Sequence, residues 1–460
     1  MVTTSLLKKI IITLLIALGY LYGAFGLSHS EAAELIRVAL VHDQATAEIS
    51  CESDFEVQSG SEKAVIVKGK YFLYVAEGKL MLEEVVANKA QNEVSTEPKP
   101  KSIGKHIFGS TLYLNTLEGK ASPKVNQRAY KGYLRALADN GKILLVNYVD
   151  LEQYLASVLP AKTMVVWPDE SIKAQAVAAR TYAMQQKQLN NKKQYDVTAN
   201  DKELPYLGTG PRIEKAGVTK LIAATRGQYL VDAQGMPIMA VTTSSSGGMT
   251  EAAASALGKN FSYLQSVEDF DKDSPDFKWE YRATPALLEG QLAQLGYVVG
   301  KINSVRLSPW DDRGDDRTET GRVRYLIFSG TAGTVKVSGQ QLAEILGLKS
   351  TLFDVETGTP PPETLKVPIE DRFGFEVGSK DIDIKVKEDE RPVWNKLLRS
   401  YHMLSGGKQE KLIFHGKGSG SGLGLSAWGA RGMVVENEKI TYAQILAHYY
   451  PGTKIEFLHR

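Results

Sequence analysis

Two cations on one helix and two runs of serine and glycine are the residues best suited to chemistry in this 460-residue chain. Lys173 and Arg180 lie seven apart in a segment of helical periodicity, which sets them on one side of the same helix. Long cations among alanines suit a buried ion pair or a site for an acidic or polar ligand. Snorkelling from a solvated edge accounts for them equally well. The second feature is Ser244, Ser245, Ser246, Gly247 and Gly248. Hydroxyls and free backbone N–H groups in such a turn can bind sugar hydroxyls, acetamido groups or a carboxylate. On its own, a run of this kind is more often a flexible loop. The third feature runs from Gly416 to Gly424 with glycine at every second position. On an extended strand those glycines share one face, open to a ligand or to another backbone. It is neither a Walker loop nor a dinucleotide fingerprint, because no Lys-Ser/Thr pair or helix entry follows at the required place.

Other candidates carry less. Residues 311–319 (Asp-Asp-Arg-Gly-Asp-Asp-Arg-Thr-Glu) are acidic but lack the alternate spacing of an EF-hand, and their arginines can neutralise the acids. A solvated hairpin tip is expected there. The single cysteine, Cys51, excludes an internal disulfide framework and a multi-cysteine zinc cluster. It reads as a small, half-buried strand residue, too far past the apolar segment for lipid attachment. No metal and no cofactor are implied. A formal net charge of +2 argues against a nucleic-acid partner.

The elements that must position these residues follow from periodicity and punctuation. Lys8 and Lys9 precede an apolar run from Ile10 to Leu27 and a small-residue stretch, the layout of a secretory signal with Ser30-x-Ala32 as cleavage site. An uncleaved anchor is the rival, and would be the chain's one membrane contact. Either way the remainder is expected outside the cytoplasm. Residues 1–33 are therefore set aside. Short alternating runs within 34–87 read as a β module, and the polar, proline-containing stretch 88–105 as a linker. A core is expected over 106–356, an insertion over 357–412, and the completion of the core over 413–460. Pro168, then Asp169 and Glu170, suit the first turn of a helix, and Ile172, Ala176, Ala179 and Ala183 recur along one face of it. The fold class is α+β: a twisted, antiparallel-rich sheet packed with that central helix, plus an N-terminal β module and inserted subdomains.

Trp167-Pro168 followed by residues 170–183 (Glu-Ser-Ile-Lys-Ala-Gln-Ala-Val-Ala-Ala-Arg-Thr-Tyr-Ala) resembles the signature of the SpoIID/LytB family, the stage II sporulation protein D and amidase-enhancer proteins. The serine-rich run with Thr250-Glu251, the glycine-rich run and residues 440–453 are similar to further motifs of that family. The resemblance covers most of residues 36–457 apart from 357–407.

The resemblance implies lytic cleavage of peptidoglycan glycan strands, in which one Glu protonates the glycosidic oxygen and a sugar hydroxyl closes an anhydro ring. Aligned on Trp167, Pro168 and Glu170, that position holds Lys162, and its neighbour is Thr163. In the glycine-rich motif Ser421, Leu425 and Ala427 stand where the family has His, Met and Gln. A lysine can carry a proton but cannot supply the anion that stabilises an oxocarbenium ion. Loss of a general acid costs on the order of a hundred- to ten-thousand-fold in rate. His415 lies six residues before Ser421, roughly 20 Å along an extended chain, so it is a poor substitute. Among nearby carboxylates Glu152, Glu170 and Glu203, the last, in the loop before Tyr206, is the best relocated acid.

By this resemblance the glycan cleft is lined by Lys162, Arg180, Tyr206, Ser244, Ser245, Ser246, Gly247, Gly248, Gly420, Ser421, Gly422 and Ser426. Some relatives bear zinc-binding Cys and His near Tyr206, and this chain has none there. The expectation is a catalytically impaired binder of glycan strands, or a protein that recruits or stimulates a cell-wall amidase. The alternative is a working lytic transglycosylase with a displaced acid.

Overall fold

The computed structural model describes residues 34–85, 105–117, 121–159, 167–201, 204–210, 216–311, 313–357, 364–370, 376–383, 400–404 and 410–458. The expected signal segment, most of the expected linker, Lys162 and Glu203 lie outside these residues.

Alternating apolar residues in the first 150 positions build two sheets with a shared core. The larger has seven strands in the spatial order Val197–Thr198, Leu35–Gln44, Lys142–Asp150, Tyr133–Asp139, Thr111–Thr116, Phe55–Ser59 and Glu62–Ile66. Its pairs are antiparallel except the first, where Val38 and Ala39 align with Val197 and Thr198 in parallel. The second sheet has six strands, with Thr46–Cys51, Gly69–Ala76 and Lys79–Glu84 adjacent to one another. Inward side chains of both sheets, among them Val38, Ile49, Phe55, Leu73, Leu112 and Leu145, belong to one buried cluster.

This corrects the expected boundary. Strands from 34–85 and from 105–150 alternate within both sheets, so residues 34–87 are not a module of their own. Period-two patterning tells which face a strand buries and leaves its neighbour open.

The central helix, Asp169–Leu189, starts one residue later than expected, with Pro168 as its N-cap residue. Asp169 and Glu170 place negative charge on its first turn. One face, Ile172, Ala176, Ala179 and Ala183, enters the core of the two sheets. Another, Ala174, Val177 and Ala178, enters a second core with Leu230, Leu425, Ala430, Ile445 and Tyr449. A helix buried on two faces needs small side chains, because each added methylene in a packed interior forces its neighbours aside.

A third core lies in the region 279–416. There Leu412–Gly416 sits between Trp279–Ala283 and Phe353–Thr357. A four-stranded sheet runs Gly333–Ser338, Tyr325–Gly330, Ile302–Arg306, Tyr401–Met403. Helices Pro285–Gln294 and Gly339–Leu346 contribute Leu288, Leu292, Leu342 and Leu346 to the same cluster. The Gly339–Leu346 helix opens with a capping box between Ser338 and Gln341, and ends on Gly347 in the left-handed conformation. Part of the expected insertion is therefore structural: Tyr401–Met403 pairs with Ile302–Arg306. Thr364–Glu370 and Glu376–Asp383 form an antiparallel pair of their own.

The acidic stretch at 311–319 is also corrected. Asp316 is buried and accepts from the backbone and hydroxyl of Ser308 at 2.7 and 2.5 Å, respectively. Arg317 is buried too, donating to Ser308 O, Gly321 O and Phe353 O and meeting Asp354 at 3.1 Å. This loop is pinned into the third core and is not a solvated tip.

Candidate functional site

The serine-rich and glycine-rich runs meet in space although they are far apart in sequence. Thr242–Thr243 and Leu425–Ser426 form a two-stranded parallel pair. Ser245 N donates to Ser419 O at 3.0 Å, and Ser419 N donates back to Ser245 O at 2.8 Å. Thr243 Oγ1 adds a bond to Ser419 O at 3.1 Å and accepts one from Gly422 N at 3.1 Å.

The glycine-rich run is not extended as expected. Gly418, Gly420, Gly422 and Gly424 all have positive φ, between 66° and 99°. Their lack of a side chain serves close packing within the protein. A Cβ on Gly424 would sit 2.0 Å from Val241 O, and one on Gly422 would sit 2.1 Å from an Arg322 guanidinium nitrogen.

Two carboxylates hold the serine turn from beneath. Asp269 accepts from Ser246 N at 3.3 Å, from Ser246 Oγ at 2.5 Å and from Tyr449 OH at 2.6 Å. Asp271 accepts from the Ser245 hydroxyl and, at 2.8 Å, from Gly247 N. Burial, together with the neighbouring negative charge of Asp269, pushes the Asp271 carboxyl above its ordinary range. The hydroxyls of Ser245 and Ser246 are therefore structural, turned inward.

The outward faces of the two runs, with the segment 318–324 that precedes the Tyr325–Gly330 strand and the Gly339–Leu346 helix, enclose a cleft of about 970 Å³. Its floor and sides include Ser244, Glu251, Thr318, Arg322, Arg324, Ser419, Gly420 and Ser421. Gln340, Ala343, Glu344 and Gly347, at helical spacing, form one wall. Ser255, Ala256 and Leu257 also line it, and Pro205 reaches it.

Glu251 is 1% exposed, and its Oε2 accepts from Thr318 Oγ1 at 2.6 Å and Thr320 Oγ1 at 2.5 Å. Its Oε1 accepts from Ala252 N at 3.2 Å. Arg322, also buried, donates to Ser246 O at 2.9 Å and to Gly420 O at 3.4 Å. Glu251 and Arg322 thus tie the third region to both loop motifs.

Of the residues expected in the cleft, Ser244, Gly420 and Ser421 line it. Arg180 does not. It is 0% exposed, forked onto both Glu152 oxygens at 2.7 Å, and donates to Gln228 O at 3.1 Å. Tyr206 points into the core, its hydroxyl 2.7 Å from Asn147 Oδ1 and its ring beside Tyr130 and Tyr154. Ser426 caps the Ala427–Glu436 helix, accepting from Gly429 N at 3.0 Å. Ser245, Ser246, Gly247, Gly248 and Gly422 shape the wall from behind. Lys162 and Glu203 fall outside the described residues, so the expected chemistry at these positions has no geometry here. His415 is turned away on its strand, against Glu356 at 2.8 Å. Among the described residues no group of three or more His, Cys, Asp or Glu side chains could hold a metal ion.

Sequence reasoning missed Glu251, Arg322 and Arg324 as parts of the cleft. The signal for the first was its place directly after the serine-rich motif. The arginines lie just before the Tyr325–Gly330 strand, with nothing local in sequence to set them apart.

Fold and cleft together define an α+β protein in which a serine turn and a glycine-rich turn, joined by parallel pairing, wall a polar groove. A family model described as stage II sporulation protein matches residues 139–231, which supports the likeness to the SpoIID/LytB family. The chain is 24% identical to stage II sporulation protein D of Bacillus subtilis, over 67% of this chain and 75% of that protein. It is 26% identical to the amidase enhancer of Bacillus subtilis, over 65% of this chain and 40% of that protein, less than half of that relative's length. An uncharacterized protein of Brachyspira hyodysenteriae is 25% identical over 85% of this chain and 88% of its own.

Proposed function

We propose that this chain works at the cell wall, outside the cytoplasm, binding peptidoglycan glycan strands in the cleft with little or no lytic turnover. One observation carries this reading: the two loop motifs converge on a groove of about 970 Å³ whose lining sets hydroxyls and arginines among apolar carbon. That is within the size range of a ligand site, with a few polar groups to orient what it holds. Serine hydroxyls and backbone N–H groups suit sugar hydroxyls and acetamido groups.

Impaired turnover follows from the residues available as acid. Lys162 stands where the family has its Glu, and an amine cannot become the anion a developing oxocarbenium ion needs. Glu251 is in the wall, but both its oxygens already accept hydrogen bonds within the protein, so it is not free to deliver a proton. Glu203 is the remaining candidate for a relocated acid and for lytic transglycosylase activity. A second reading, recruitment or stimulation of a cell-wall amidase, is favoured by the relative named amidase enhancer.

Incubation of the purified chain with sacculi tests these readings. Co-sedimentation without anhydro-muropeptides by mass spectrometry is the expected result. Anhydro products that vanish in Glu203→Gln would establish the lytic alternative. No co-sedimentation, with stimulation of an added amidase, would favour the second reading. Lys162→Glu should restore part of any lost lytic activity.

A further inference from the structure

We propose that Arg324 is the specificity residue of this cleft and engages a carboxylate on the bound saccharide, so that acidic glycans are preferred over neutral ones. This rests on the glycan-binding reading and deepens it. The other charged side chains that line the groove have partners within the protein. Arg322 is committed to two backbone carbonyls. Lys349 is bonded to Asp276. Glu251 is filled by Thr318, Thr320 and a backbone N–H, and Glu344 accepts from Gln340 Nε2 at 2.9 Å. Arg324 is exposed within the cleft lining, and its side chain has no hydrogen-bond or ion-pair partner among the described residues.

Its backbone is nevertheless held on both sides. Arg324 N donates to Asp316 O at 2.7 Å, and Arg324 O accepts from Gly339 N at 2.9 Å, at the start of the wall helix. A fixed backbone carrying an uncommitted guanidinium into a concave polar site is suited to two-pronged recognition of a carboxylate. Ser244, Ser419 and Ser421 on the adjoining wall supply hydroxyls for the rest of a sugar ring.

The test uses two tetrasaccharides of equal length and the full chain in titration calorimetry. One is the neutral N-acetylglucosamine tetramer. The other alternates N-acetylglucosamine with peptide-free N-acetylmuramic acid, whose lactyl carboxylates are ionised. The wild type should bind the acidic ligand about tenfold more tightly, the scale of one charge-assisted pair, and the preference should shrink with added salt. Arg324→Ala should bind both ligands alike, at the wild-type affinity for the neutral one, and Arg324→Lys should keep part of the preference. An unchanged denaturant-unfolding midpoint of each variant is the control for folding. Equal binding of both ligands by the wild type overturns the inference and leaves the glycan-binding reading standing. A preference that survives in Arg324→Ala, or loss of neutral binding in that variant, also overturns it. Binding of neither ligand by the wild type overturns both.

Discussion

Two clusters of charge in this protein, one on the central helix and one under the serine turn, are neutralised by opposite means. Beneath the central helix, Arg180 and Glu152 form a forked pair with both bonds at 2.7 Å, and the spare guanidinium hydrogens reach Gln228 O and Ile222 O. Beneath the serine turn, Asp269 and Asp271 lie two residues apart, and hydroxyls and backbone N–H groups donate to their carboxylates. The first cluster balances charge with charge. The second surrounds it with dipoles, and burial together with the charge of Asp269 raises the Asp271 carboxyl above its ordinary value.

The largest expected effect breaks the first cluster. Arg180→Ala leaves Glu152 facing the interior without its partner and should cost about 3–5 kcal/mol in denaturant unfolding. The double variant Arg180→Met with Glu152→Leu should recover much of that. A loss below ~1 kcal/mol in the single variant would show that the pair is not buried as described.

An intermediate effect, of a different kind, is expected from Asp271→Asn. The folded-state value of Asp271 lies above its ordinary 3.8, so its contribution is complete below that value and is lost as pH rises through the raised one. The amide keeps an acceptor for Ser245 and Gly247 and cannot ionise. Stability of the variant should therefore fall less than that of the wild type as pH rises from about 4 towards neutrality. Parallel pH profiles for the two proteins would place the proton elsewhere.

The smallest effect belongs to Lys173, bonded to Glu170 at 2.6 Å on a partly solvated edge. Burial and the pairing oppose each other there, and the Glu170 hydrogen bond leads, raising the lysine above its ordinary value. Lys173→Ala should change stability by less than about 1 kcal/mol. A larger loss would mean that the contrast between deep and shallow pairs is overdrawn.

Much of the local architecture was legible from periodicity and punctuation. The runs at 71–75, 79–82 and 142–149 lie within strands Gly69–Ala76, Lys79–Glu84 and Lys142–Asp150. The alanine stripe marked the central helix, which the structure buries on two faces. Partners across the sheets were not legible. Gln228–Val231 pairs along its length with Lys454–Phe457, more than 200 residues away in sequence. Alternation sets a strand's faces, and the choice of neighbour depends on tertiary packing.

The candidate site was legible in part for the same reason. The serine and glycine runs were identified, but which hydroxyls turn outward depends on Asp269 and Asp271, more than twenty residues away in sequence. Arg180 had three admissible readings until Glu152 was seen across from it. Tyr206 was assigned to the cleft through the family resemblance, and an acceptor on Asn147 draws its hydroxyl inward.

The parallel pairing of Thr242–Thr243 with Leu425–Ser426 has a consequence for biosynthesis. Thr243 and Ser419 are 176 residues apart, so a growing polypeptide has one half of this groove long before the other exists. Translation must pass Ser426 before the two runs can pair, and a chain stopped short of it by a nonsense mutation would carry a lone serine turn with nothing to close against.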